Sequence, residues 1–227
     1  MEIEWPQPPQ YGAGPIQLCV PAWAYDDRYL GQPVVPHIVT GPYHLVRNPD
    51  FLAQYGIQVI LCIRDPSEMR FLRERDLGGI AFHFLDVPTD VHRANIIPQF
   101  TQATAILAQL VAERRNVLVC CSDGIDKSAS FVAAYLMDTY GLRALDAITF
   151  VQNHRYCATP SANGYRIKLL EYEPICAARA ATAAAGPAAQ DRRLRRPAEG
   201  DPEDDCAQGL ATDVTGRRIP VPKKRAK

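Results

Sequence analysis

Cys121-Ser122-Asp123-Gly124-Ile125-Asp126-Lys127-Ser128 is the stretch of this sequence with the clearest chemical promise. An apolar run, VLVC, leads straight into it, and ASFVAAYLMDTYG, patterned as a helix, leads out. A strand, a tight glycine-containing loop and a helix N-terminus together form a cradle for an anion. Successive backbone amides point inward, and the helix dipole favours negative charge there. A thiol at the mouth of such a cradle is expected to have a depressed pKa and to act as a nucleophile. The alternative is an inert small residue at a strand end. Asp123 and Asp126 complicate the first reading. If both face the pocket, they repel an incoming anion and raise the Cys121 pKa. If both face outward, the effect largely vanishes.

Several elements must position this loop. HIVTG at 37–41 predicts a short strand. NPDFLAQYG predicts a helix with Asn48 or Asp50 as cap and Gly56 as stop. IQVILCI at 57–63 is an apolar run interrupted only by Gln58, the mark of a strand buried on both faces. IAFHFLDV at 80–87 and NVLVC at 116–120 predict two more strands. Between them, Ile97, Phe100, Ala103, Ile106, Leu107, Leu110 and Val111 fall at helical spacing within 94–114. Helices are expected over 128–140 and 143–154, separated at Gly141, and from about Ser161 to Ala178. Strands alternating with helices imply an α/β fold, a mostly parallel central sheet flanked by helices. In such sheets, sites form at the carboxyl ends of strands, where this loop stands.

Composition limits the alternatives. Of 227 residues, 47% are apolar, enough for one sizeable core. Formal net charge is zero, but residues 178–227 hold eleven basic and seven acidic side chains. A mildly acidic body with a basic tail does not fit a nucleic-acid-binding domain. Residues 1–21 are rich in Pro and Gln and are expected to be poorly ordered. Residues 22–178 hold the domain, and 179–227 form an Ala/Arg-rich tail without the large apolar residues a core needs. RRLRR at 192–196 and the terminal PVPKKRAK could serve nuclear import or be solvated charge. No signal peptide or membrane span is expected. The seven cysteines show no CxxC or zinc spacing and are read as free thiols of a reducing compartment. His83, His92 and His154 lack ligand spacing, so no metal is expected. With no dinucleotide or Walker pattern, no cofactor is expected either. Arg155 is read as a solvated arginine or a surface partner for a phosphopeptide. Tyr156-Cys157 and Asn163-Gly164-Tyr165 are read as packing and turn residues behind the loop.

The loop resembles the signature of the cysteine-dependent protein phosphatases: His-Cys, five residues, then Arg-Ser/Thr. AYLMDTYG, ALDAITFVQNHRYCATPSANGY and LLEYE follow at the spacing of the dual-specificity branch. AWAYDDRYLGQPVVPHIVTGPY, YGIQVILCIRD, NIIPQF and VQNHRYC are similar to segments of its non-catalytic members, the pseudophosphatases. The resemblance covers roughly 22–178, with several separate motifs in order. It implies a dual-specificity-type cysteine-phosphatase fold with Cys121 as nucleophile and Gly124 at the tight turn. Ser128 would stabilise the leaving thiolate, and Asp90 would be the general acid. Ser122, Asp123, Gly124, Ile125, Asp126 and Lys127 would surround the phosphate. Asp86, at the end of an apolar strand, is the weaker acid candidate.

Two positions depart from the signature. Cys120 stands where the family has histidine, and Lys127 where it has the phosphate-gripping arginine. Arginine's planar fork holds two phosphoryl oxygens into the transition state; a hydrated ammonium cannot. Losing one such preorganised contact costs about 3–4 kcal/mol, or about 10²–10³ in rate.

These departures favour a catalytically inactive or severely impaired domain that binds through a degenerate Cys-x5-Lys loop. The resemblance implies phosphorylated proteins, MAP-kinase types included, or ubiquitin-ligase substrate receptors as partners. It further implies a monomer acting in signalling in the cytoplasm and nucleus, without nucleic acid or membrane. The retained Cys121 supports an alternative, a weakly active protein tyrosine/serine/threonine phosphatase using Asp90 as acid. A third reading is a scaffold whose loop binds no phosphate.

Overall fold

Five strands form one sheet: β1 (Gln32–Val35), β2 (Ile38–Pro42), β3 (Ile57–Arg64), β4 (Ala81–Asp86) and β5 (Asn116–Cys121). The computed structural model describes residues 3–19, 22–194, 210–212 and 218–220. Spatial order is β1-β2-β5-β3-β4. β1 pairs antiparallel with β2, and every other pairing in this sheet is parallel. The expected mostly parallel α/β sheet is therefore present.

The apolar runs have a direct cause. Along β3, Val59, Leu61 and Ile63 enter the core cluster on one face, while Ile60 and Cys62 enter the cluster on the other. Alternate side chains point to opposite faces, and both faces are covered, so from Val59 to Ile63 no polar position remains; Gln58 and Arg64, at the strand's ends, are not buried. β5 follows the same rule. Cys120 joins the cluster shared with Cys62, and Cys121 joins the opposite one.

Five α-helices flank the sheet: α1 (Pro49–Gln54), α2 (Ile97–Ala112), α3 (Lys127–Tyr140), α4 (Ala144–His154) and α5 (Tyr165–Leu194). Of the two candidate caps for α1, Asn48 acts: its side chain accepts the Phe51 N–H at 3.1 Å. α3 ends at Gly141, whose left-handed φ of 66° places its N–H on the Met137 carbonyl at 3.0 Å. Phe100 of α2 packs on Phe131 of α3 and Tyr172 of α5, with centroids 4.8 and 5.4 Å apart. This aromatic cluster seats α3, and hence the loop before it, on the sheet. No helix among the described residues is long and apolar enough to cross a membrane.

Three features differ from the sequence reading. β1 was not expected, because Pro33 and Pro36 weaken any strand pattern; Pro33 is tolerated because β1 is an edge strand. α5 runs past the expected end at Ala178, since the Ala-rich stretch that cannot build a core is still a strong helix former. Residues 3–19, expected to be poorly ordered, carry no helix or strand, yet they are tied to α3 and α4. Gly12 N–H reaches the Tyr140 carbonyl at 2.9 Å and Ile16 N–H the Asp146 carboxylate at 3.0 Å. Cys19 N–H reaches the Asn153 side chain at 2.8 Å.

Residues through Ala184 make one compact unit, and a second begins at Ala185. The second unit contains a short antiparallel pair, β6 (Leu210–Thr212) with β7 (Arg218–Pro220). Arg195, Arg196 and residues 221–227, which carry most of the basic clusters, lie outside the described residues.

Candidate functional site

β5 delivers Cys121 to the carboxyl edge of the sheet, and α3 begins six residues later. The turn between them needs glycine. Gly124 has φ +69°, and a Cβ there would sit 2.4 Å from the Gly41 carbonyl carbon and 2.5 Å from Pro42 N. The loop thus rests directly on the end of β2, where no side chain fits.

Cys121 is fully buried. Its Sγ accepts the Gly124 N–H at 3.2 Å and lies 3.4 Å from both Ser128 Oγ and Asp123 Oδ1. The same Asp123 oxygen accepts the Ile125 N–H at 2.9 Å. Two amides that a cradle would offer an anion are therefore already engaged by the loop itself. A carboxylate from within the chain stands at the mouth, against the thiol. Burial, reinforced by the Asp123 charge, pushes the Cys121 thiol up to about 11, despite lowering contributions from Ser128 and Gly124. The depressed pKa expected of a cradle thiol does not materialise. Desolvation and a facing carboxylate outweigh the helix terminus.

The two loop carboxylates point in different directions. Asp126 turns away, accepting the Ser161 N–H at 2.9 Å on the segment before α5. Burial raises its pKa against those Ser161 contacts.

Lys127 opens α3, but its ammonium leaves the loop. Nζ lies 2.9 Å from Asp65 Oδ2 and 2.7 Å from Glu68 Oε1, both on the segment after β3, and all three side chains are under 20% exposed. Burial disfavours charge on Lys127, but hydrogen bonds and charge from Glu68 and Asp65 prevail and raise its pKa. On Asp65, burial is likewise outweighed by hydrogen bonds from Ser67 and Lys127, which hold the carboxyl below its usual value.

Arg155 corrects the sequence reading. It is 1% exposed, not solvated. Its Nε donates to the Gly124 carbonyl at 2.8 Å, Nη1 to the Leu30 carbonyl at 2.7 Å and to Gln32 Oε1, and Nη2 to the Arg28 carbonyl at 2.8 Å. This buried guanidinium fastens the loop from behind, joining α4 to the segment before β1. A lone arginine after a helix gives no sequence signal for such a role.

Residues 39–175 match the model of the dual specificity phosphatase catalytic domain. The chain belongs to the dual-specificity phosphatase family. It is similar to the human serine/threonine/tyrosine-interacting protein, 32% identical over 177 residues, 77% of this chain and 76% of that one. The mouse protein of the same name is 34% identical over 155 residues, 67% of this chain and 69% of that one. Among solved structures, the human tyrosine phosphatase-like serine/threonine/tyrosine-interacting protein superposes with a TM-score of 0.58 at 33% identity. That match covers 64% of this chain and 96% of that chain.

Within the dual-specificity phosphatase pattern, the structure gathers Cys121, Ser122, Asp123, Gly124, Ile125, Asp126 and Ser128 into one loop and helix start. It directs Lys127 to the neighbouring carboxylates instead. Asp90 lies on the connection from β4 to α2, its side chain 60% exposed. Its carboxylate accepts the Arg93 N–H at 3.3 Å and stands 3.7 Å from Arg93 Nε, so its polar contacts are within its own turn. Asp86 pairs with Arg64 at 2.8 Å and ties the exits of β3 and β4 together. Cys120, in place of the family histidine, is buried on the opposite face beside Cys62; burial first, then Cys62, pushes its thiol well above the ordinary range. His83 and His92 are exposed, and His154 Nδ1 meets its own helix at the Phe150 carbonyl. Among the described residues, no group of His, Cys, Asp or Glu is arranged to hold a metal.

Proposed function

We propose that this chain is a pseudophosphatase, a dual-specificity-phosphatase-like domain that turns over phosphoesters negligibly and acts by binding phosphoproteins or regulatory partners. The observation that carries this reading is the placement of Asp123. Its carboxylate stands against Cys121 and takes the Ile125 N–H, holding the loop in a self-satisfied state. A phosphate dianion entering there would meet a negative charge and a protonated thiol. No ammonium would compensate, because Lys127 is clamped by Asp65 and Glu68. With a thiol pKa of about 11, roughly one molecule in 10⁴ carries the thiolate at neutral pH.

Its relatives' name, serine/threonine/tyrosine-interacting protein, supports a role in interaction. On this reading the partners are phosphorylated proteins, MAP-kinase types included, or ubiquitin-ligase substrate receptors. The chain meets them as a monomer in cytoplasm and nucleus. Titration calorimetry with inorganic phosphate, vanadate and a phosphotyrosine peptide tests how the loop takes part. Asp123→Asn is expected to strengthen binding of all three by removing the facing charge. Tight phosphate or vanadate binding by the unmodified chain, insensitive to Asp123→Asn, would overturn the self-satisfied loop.

One observation favours a second reading, a weakly active phosphatase. Ser128 Oγ remains 3.4 Å from the Cys121 sulfur, where a hydroxyl would support a thiolate leaving group.

A further inference from the structure

The body outside the tail is acidic overall, since residues 1–177 hold fourteen basic and eighteen acidic side chains. Against that background, four arginines converge on one cavity of about 420 Å³, lined by Arg47, Arg70, Phe71, Arg73, Glu74 and Arg75. All four guanidinium-bearing residues are exposed, and among the described residues none makes an ion pair. Four like charges held together with a single carboxylate, Glu74, among them repel one another, and an anion relieves that repulsion.

The backbone presenting them is fixed. Leu72 is buried in the core, and its carbonyl accepts Arg64 Nη1 at 2.7 Å. Arg73 N–H donates to Tyr43 Oη at 3.1 Å, and the Tyr43 hydroxyl donates to the Arg73 carbonyl. Phe71 N–H closes a turn on the Glu68 carbonyl at 2.8 Å. The arginines and the 68%-exposed Phe71 ring therefore flank an anchored residue. Arg47 reaches the cavity from a different element, the 3-10 turn at Tyr43–Arg47.

We propose that this cavity is a docking site for an acidic peptide segment of a partner protein, with an apolar side chain of the peptide against Phe71. The site is separate from the Cys121 loop, and the proposal stands whether or not that loop binds phosphate. Charge complementarity selects the anion. A lone aromatic gives no platform for successive nucleic-acid bases. An extended anionic surface, whether membrane or nucleic acid, would also face the acidic remainder of the body, whereas a short peptide meets only the patch. Glu74 at the lining disfavours a carboxylate at one position and so helps set the peptide's register.

The test is fluorescence anisotropy of the full chain with a fluorescein-labelled Glu-rich peptide bearing one Leu. Its Lys-for-Glu counterpart, oligothymidylate and phosphatidylserine vesicles serve as comparison ligands. Saturable binding of the acidic peptide is expected. Arg70→Glu/Arg73→Glu and, independently, Arg47→Glu/Arg75→Glu should each weaken it about tenfold, and Phe71→Ala several-fold. Absence of binding would overturn the proposal. So would affinity unchanged from the unmodified chain in both charge-reversed variants, or tighter binding of the oligonucleotide or vesicles than of the peptide at the same salt.

Discussion

Asp123 Oδ1 stands 3.4 Å from the Cys121 sulfur and also holds the Ile125 N–H at 2.9 Å. One carboxylate thus does two things to the loop: it fills an amide meant for an anion, and it opposes ionisation of the thiol.

Thiol reactivity should report the facing charge. Only the thiolate attacks an alkylating agent, and Cys121 is held up to about 11. Iodoacetamide labelling of the Cys121 peptide, followed by mass spectrometry, should be slow at pH 7 and rise about tenfold per pH unit until near pH 11. Asp123→Asn should shift that profile to lower pH, because it removes a charge that raises the thiol pKa. An unchanged profile in the variant would show that Asp123 does not face the thiol.

The Lys127 clamp should appear in stability against pH. Asp65 has its pKa lowered in the fold, so its contribution is present above its unfolded value near 3.8 and is lost as pH falls below it. Lys127 has its pKa raised, so its contribution is present below its unfolded value near 10.5 and is lost as pH rises through the folded value. Lys127→Met should therefore lower stability by about 1–2 kcal/mol between these limits. That corresponds to a Tm fall of about 2–8 °C, shrinking toward either extreme. Thermal melts of both proteins across pH check the shape; a pH-independent difference would argue against the clamp.

Arg155 should be a stability residue. Arg155→Met leaves the Gly124, Leu30 and Arg28 carbonyls without their donor and is expected to cost about 3–5 kcal/mol. Arg155→Lys should recover little, since one ammonium cannot span the same acceptors. Denaturant unfolding of both variants measures this; a loss under about 0.5 kcal/mol would match an exposed residue.

Much of this was legible in the sequence, for reasons that differ by residue. The apolar runs at 57–63 and 116–120 named β3 and β5 because both sheet faces are covered. Gly124 was readable because a loop so close to β2 excludes any Cβ. The direction of Asp123 and Asp126 was not readable. Asp126 is turned by the Ser161 N–H, donated from 35 residues away, while Asp123 is held inside the loop by the Ile125 N–H. Lys127's partners were hidden for the same reason, since Asp65 and Glu68 arrive from another strand's exit. Arg155 was misread because burial of a cation depends on four acceptors that only the fold brings together.

Turnover of p-nitrophenyl phosphate by the unmodified chain, measured beside Cys121→Ser and Lys127→Arg, tests the central claim most directly. The self-satisfied loop predicts wild-type turnover indistinguishable from Cys121→Ser. It predicts no recovery from Lys127→Arg alone, because an arginine there meets the same Asp65 and Glu68 while Asp123 still faces the thiol. Robust wild-type turnover that Cys121→Ser abolishes would contradict it.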